Sequence, residues 1–210
     1  MKQYLLIDIG GTFIKYSLAD EQARKISGGK VPTPLTNMDD LLAAIEGFAA
    51  PLQGQFVGCA ISMPGRIDTR NGIAHTGGML SAFMWEQPFA AQVEARLGVP
   101  VTIANDGKCA AAAEGWTGAL AGVENGLVLA LGTGIGGGVV VGGHTVHGLL
   151  HPEVGHMLLR PHPEDPIPHG VCPYHDGCLE GLAAGPAIGA RAQGDARELP
   201  DDHPVFKIEA

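Results

Sequence analysis

Tyr4-Leu5-Leu6-Ile7-Asp8-Ile9-Gly10-Gly11-Thr12-Phe13-Ile14-Lys15 sets the architecture. A short apolar run is cut by Gly-Gly-Thr, and residues 13–18 then alternate like a returning strand. The same order recurs at Val128-Leu129-Ala130-Leu131-Gly132-Thr133-Gly134, with residues 139–141 as the return. Two strand–glycine turn–strand units predict two related lobes facing a cleft. Between them the pattern alternates. Residues 38–50 have helical periodicity after a cap near Asn37, and residues 56–63 read as a buried strand stopped by Pro64-Gly65. A helix over 89–97 closes on Gly98 and Pro100, and a strand over 101–104 delivers Asn105-Asp106. A helix rich in small residues follows over 108–121. The class is α/β.

Composition narrows the function. The chain has 210 residues and a net charge of −9, the wrong sign for a general binder of nucleic-acid phosphates. Glycine accounts for 32 residues without a G-X-Y repeat, which excludes collagen and points to tight turns and ligand-contacting loops. The longest apolar stretch, residues 127–141, carries five glycines and is too short to span a bilayer. Asp8 interrupts the first apolar run, so no signal-peptide core is expected there. Four cysteines, two of them in a metal-like spacing, read as those of a reduced cytoplasmic enzyme.

Three groups of residues could carry chemistry. The turn at Gly10, Gly11 and Thr12 offers backbone N–H groups to a phosphate, with Lys15 close by and Asp8 able to hold Mg²⁺ or its water shell. Gly132, Thr133 and Gly134 offer the same cradle without the carboxylate. Neither is a Walker loop, since no Gly-Lys-Ser/Thr occurs. Asn105-Asp106, between strand and helix, reads either as an ordinary helix cap or as a general base at a sheet edge. Finally, Cys172-x2-His175-x2-Cys178 supplies three zinc ligands. His151, His156, His162 and His169 are all available as the fourth, and spacing does not choose among them.

Taken together, IDIGGTFIKYSLAD, CAISMPGRID, IANDGKCAAAAEGWTGA, LALGTGIGGGVVVGG, HPEVGH and GVCPYHDGCLEGLAAGPAI resemble the sugar kinases of the ROK family (repressor, open reading frame, kinase). The resemblance runs in family order to about residue 190. It implies the actin-like ATPase (ribonuclease H-like) fold, with an N-terminal lobe over 1–120 and a C-terminal lobe over 121–210. It implies ATP and Mg²⁺ held by Asp8, Gly10, Gly11, Thr12, Lys15, Gly132, Thr133 and Gly134. Asp106 would be the base that deprotonates the 6-hydroxyl of a hexose. Asn105, Glu153, His156 and Glu180 would bind the sugar hydroxyls, with Pro64, Gly65, Gly77 and Gly78 shaping the pocket. His156 would complete a Zn²⁺ site with Cys172, His175 and Cys178, and a homodimer is implied.

The zinc loop resembles that of the family's fructokinases, whereas residues 67–79 are closer to the glucose and β-glucoside kinases. Family members run on beyond Ala210, so the second lobe is expected to be incomplete and to show an apolar patch or a dimer seam. Two other readings follow from the same family. One is a truncated, non-catalytic sugar-binding protein. The other is a sugar-sensing repressor, which the acidic charge and a first strand starting near Met1 disfavour.

Overall fold

Leu5, Ile7 and Ile9 alternate inward along β1 (Gln3–Ile9), as a half-buried strand requires. The computed structural model describes residues 1–146 and 153–207, which form two units, Met1–Cys109 and 110–146 with 153–207. In the first, the chain runs through β2 (Phe13–Asp20), β3 (Lys25–Pro32), α1 (Met38–Ala49), β4 (Cys59–Met63), the short hairpin β5 (Ile67–Asp68) and β6 (Ile73–Ala74), α2 (Phe89–Leu97) and β7 (Val101–Asn105). It then enters α3 (Asp106–Thr117).

The main sheet has the order β3-β2-β1-β4-β7. β1, β4 and β7 run parallel, and β2 is antiparallel to both its neighbours, β1 and β3. Ile14 and Leu18 of β2, Ile61 of β4 and Ile103 of β7 join the β1 side chains in one core with Leu41 and Ile45 of α1 and Phe89, Val93 and Leu97 of α2. Each such burial is worth about 1.5–3 kcal/mol. Tyr16 extends this layer by stacking on Phe48 with ring centroids 4.3 Å apart.

The helix boundaries follow local signals. Asn37 Oδ1 accepts the Asp40 N–H at 2.8 Å and caps α1. Gly98 takes the left-handed conformation at the end of α2 and donates its N–H to Glu94 O at 2.8 Å. α3 begins and ends earlier than the sequence predicts. It begins at Asp106 because the Asn105 side chain caps it, and it ends at Thr117 because Glu114 Oε2 turns back to accept the Ala119 N–H at 2.7 Å.

β3 is an addition to the sequence reading. Seven of its eight residues are exposed and two are glycines, so neither apolar alternation nor propensity marks it. Its ladder with β2, which pairs Lys15 with Lys30 and Tyr16 with Gly29, is what makes it a strand.

The second unit contains β8 (Gly126–Leu131), β9 (Ile135–Val141), β10 (His144–Thr145), α4 (Leu179–Ala183) and α5 (Gly185–Ala192), with an antiparallel sheet ordered β10-β9-β8. The echo seen in the sequence is structural. β1 and β2 form an antiparallel hairpin whose last pair is Ile9 with Ile14, and β8 and β9 form one whose last pair is Leu131 with Ile135. Leu127, Leu129 and Leu131 lie exposed along edge strand β8. No described helix is long and apolar enough to cross a membrane.

Between residue 153 and α4 the chain is mostly irregular and is held at points. The strongest is a buried, two-pronged pair in which Arg191 Nε and Nη2 meet Asp165 Oδ1 and Oδ2 at 3.0 and 2.7 Å. Hydrogen bonding to Arg191 is the leading reason the Asp165 carboxyl lies below the ordinary carboxylate range. Asp165→Ala is expected to cost about 3–5 kcal/mol, because it strands a buried guanidinium. A lowered folded-state value also fixes the sign with pH. The stabilisation is full above about pH 4, the unfolded value, and is lost as pH falls through the folded value. Urea midpoints of the parent and the variant between neutral pH and pH 3 check both statements.

Candidate functional site

In the first unit the Gly10–Thr12 turn closes β1 onto β2. Gly10 N–H donates to Phe13 O at 3.0 Å, and Thr33 anchors the loop from β3's far end, its Oγ1 donating to Gly10 O at 2.7 Å and its N–H to Thr12 O at 3.0 Å. Thr33 has no local sequence signal. Its role exists only because β3 pairs with β2. Asp8 ends about half-exposed, 3.6 Å from Lys15 Nζ, so an acceptor for a cation and a donor for an anion stand side by side.

The Pro64-Gly65 stop and the Gly77-Gly78 turn are in contact with one another. Gly65 has φ +98, and a Cβ there would fall 2.3 Å from Thr76 O, so only glycine fits. A Cβ at Gly78 would lie 3.1 Å from Pro64 Cβ. Asn105 Nδ2 donates both to Gly65 O at 3.1 Å and to Asp106 Oδ1 at 3.0 Å.

This geometry assigns the cap to one of the two residues. Asn105 Oδ1 accepts the Lys108 N–H at 3.2 Å, so Asn105 is the helix cap. Asp106, freed from that task, accepts the Gly107 N–H on Oδ1 at 2.8 Å and stays open to solvent at its own surface. Enough protein nevertheless surrounds it that loss of hydration raises its carboxyl above the ordinary range, and the charge of Asp8 adds to the rise.

A separate concavity of about 660 Å³ lies on the main sheet, lined by Leu6, Ala60, Ser62, Thr102 and Ala104 with Asp8 and Lys15 among its polar groups. Gly65, Gly77, Asn105 and Asp106 do not line it, and a mostly apolar floor is poorly suited to a polyhydroxylated ligand.

In the second unit, Gly132–Gly134 turns β8 into β9. Gly132 O accepts the Gly185 N–H at 2.9 Å, which ties the turn to the start of α5. Glu180 Oε2 accepts the Ile135 N–H at 2.9 Å, and a Cβ at Gly134 would lie only 2.6 Å from that oxygen. Glu180, expected only to face a sugar, therefore also braces the second glycine turn. Glu153 immediately precedes the turn Val154–His156, with which its carbonyl bonds through His156 N–H at 2.9 Å.

That turn delivers His156 to Cys172, His175 and Cys178. Nδ1 of His156 lies 4.0 Å from Cys172 Sγ and 3.9 Å from Cys178 Sγ, and Cys172 Sγ lies 3.8 Å from His175 Nδ1. All four donor atoms fall within 4.8 Å of one another. The edges of a tetrahedron built on ordinary Zn–S and Zn–N bonds are roughly 3.3–3.8 Å, so two thiols and two imidazoles near this spacing suit zinc. Cys178 sits at the N-cap of α4, where Sγ accepts the Gly181 N–H at 3.3 Å. Without a cation its thiol is pushed up, first by loss of hydration and then by Cys172 beside it. Among the alternatives, His162 Nδ1 accepts the Glu164 N–H and His169 Nδ1 bonds Asp176, while His151 lies outside the described residues.

Fructokinase of Zymomonas mobilis is 34% identical over 196 residues, covering 90% of this chain and 65% of that protein. Glucokinase of Streptomyces coelicolor is 32% identical, covering 93% of this chain and 60% of that protein. The ROK family glucokinase of Streptomyces griseus, solved in complex with glucose and AMPPNP, superposes with a TM-score of 0.75 at 30% identity, over 90% of this chain and 59% of that one. The ROK hexokinase of Thermus thermophilus gives 0.72 at 31% identity, over 98% and 72%. A ROK transcriptional regulator matches at 24% identity with a TM-score of 0.75, a likeness of fold alone. The chain spans about two thirds of the length of the first curated relatives it matches. The fold is that of the actin-like ATPases. With a family profile that matches residues 4–207, the chain belongs to the ROK family.

Proposed function

We propose that this chain is an ATP-dependent hexose kinase that transfers the γ-phosphoryl group to the 6-hydroxyl of glucose, a β-glucoside or fructose. The observation that carries the reading is the division of labour at Asn105-Asp106. The asparagine caps α3, and the aspartate keeps a carboxylate of raised basicity for substrate. Asp106 takes the proton of the 6-hydroxyl as that oxygen bonds the γ-phosphorus. The bond from phosphorus to the β–γ bridging oxygen breaks, and ADP leaves with the electron pair.

Phosphoryl transfer asks a protein for positioning and charge stabilisation more than for covalent chemistry. The backbone N–H groups of Gly10–Thr12 and Gly132–Gly134, with Lys15, would supply these to the phosphates. Asp8 is a suitable oxygen ligand for Mg²⁺, which neutralises phosphate charge when bound. His156, Cys172, His175 and Cys178 would hold zinc, whose contribution is to order the segment bearing His156 and Glu153. His156 turns Nδ1 toward the two sulfurs, which leaves Nε2 on the opposite edge of its ring for a sugar hydroxyl.

A second reading is a non-catalytic sugar-binding protein of the same family. A coupled ADP-release assay with MgATP and separate additions of glucose, a β-glucoside and fructose separates the two. Turnover with one sugar is the expected result and names the acceptor. No turnover in folded protein would favour the second reading.

A further inference from the structure

The Gly77-Gly78 turn is reached through the hairpin β5–β6, and the chain that leaves it returns alongside. Ala74 and Gln87 exchange both backbone hydrogen bonds, at 2.8 and 2.9 Å. That bridge sets Glu86 beside His75. Glu86 is one of three described non-glycine residues with positive φ, at +52°, a conformation that an ordinary side chain holds only at a cost.

Its carboxylate has two partners. Oε2 accepts from His75 Nδ1 at 2.8 Å, and Oε1 stands 3.8 Å from Arg66 Nη2. His75 is mostly buried, and its Nε2 has no hydrogen-bond partner among the described residues. A carboxylate only accepts, so the contact needs the ring proton on Nδ1. Glu86 is what makes that tautomer pay out as a hydrogen bond.

From His75 the contacts run inward. The His75 and Thr76 N–H groups both point to Arg66 O, at 2.9 and 3.4 Å, and Arg66 N–H donates to Thr76 Oγ1 at 2.9 Å. Thr76 leads into Gly77, and its carbonyl is the one a Cβ at Gly65 would strike. Gly65 O is held by Asn105, next to Asp106.

We propose that Glu86 is a positioning residue for the acceptor sugar, acting through His75 and Arg66 to hold Thr76–Gly78 against Gly65. This rests on reading Gly65, Gly77, Gly78 and Asn105 as part of the sugar pocket. An exposed ion pair by itself is worth little, so the effect belongs to loop geometry rather than to overall stability. Asp106 keeps its own anchor to Gly107 N–H, so sugar affinity should move and the chemical step should not.

Glu86→Gly tests the role cleanly, because glycine suits the backbone while deleting the clamp. The hexose KM is expected to rise about tenfold, while kcat and the ATP KM stay within about twofold. Tm should hold or increase, the opposite of what a merely structural role predicts. Glu86→Gln keeps an acceptor oxygen for His75 Nδ1 and should recover most of the affinity. An unchanged hexose KM in Glu86→Gly, or equal changes for hexose and ATP, would overturn the proposal. Should the parent turn over no hexose, the kinase reading fails, and the clamp is then judged by nitrogen NMR of His75. A proton on Nδ1 in the parent that moves in Glu86→Gly supports it, and an unchanged tautomer overturns it.

Discussion

Asp106→Asn is expected to lower kcat for hexose phosphorylation by about 10³-fold, while the sugar dissociation constant changes by less than about threefold. Asparagine has the same shape and can still accept the Gly107 N–H, so the start of α3 and the Asn105 contact to Gly65 O should survive. What disappears is the atom that receives the proton. The parent's kcat/KM should fall on the acid side through a value above the ordinary carboxylate range, since loss of hydration and then Asp8 raise Asp106, and the variant should lose that limb. Stability should move the other way. A folded-state value raised above the unfolded one contributes stability below the ordinary range and loses it as pH rises through the raised value. Near neutrality Asp106→Asn should therefore be at least as stable as the parent. Initial rates across pH, sugar titration calorimetry and urea midpoints on one preparation test all three. Retained turnover would remove Asp106 from the mechanism.

Cys172→Ser is expected to lose both bound zinc and sugar affinity, the hexose KM rising about 10–100-fold. Cys172 Sγ lies near both imidazoles, His156 Nδ1 at 4.0 Å and His175 Nδ1 at 3.8 Å, so its loss opens the donor set from two sides. Serine is too hard a donor to replace a thiolate. His156 would then lose the contact that orients its ring. Metal content by atomic emission, set beside hexose KM for Cys172→Ser and for the parent stripped by chelator, decides the matter. Metal-free protein with normal sugar affinity would break the link through His156. Cys59→Ser serves as the control. That thiol is buried, pushed up to about 12 by loss of hydration, and lies in the main sheet's core rather than among the four donors.

The readings that held in the sequence were local ones. Asn37 and Gly98 mark helix ends because a cap and a left-handed residue act within four residues of the groups they satisfy. The two glycine turns between apolar strands are visible for the same reason, and so is the Cys172–His175–Cys178 spacing. Each rests on backbone geometry that a few adjacent residues dictate; together they were enough for the α/β class, while the family came from the resemblance of six longer stretches in family order.

Tertiary structure decided what depends on partners distant in the chain. β3 is a strand only because β2 offers it a ladder, and Thr33 reaches Gly10 only through that pairing. By itself the pair Asn105-Asp106 reads first as a helix cap, with a general base at the carboxylate as the other reading. Gly65 O, forty residues away, takes the Asn105 amide nitrogen and turns its oxygen to Lys108 N–H, which releases Asp106. Glu180 braces Ile135 across 45 positions, and Glu86 reaches His75 across 11 from a backbone conformation no motif announces. A hydrogen bond at short range is written in neighbouring residue types. One that closes a long loop exists only after the fold has met the entropy of bringing its ends together, and so only the folded chain reveals it.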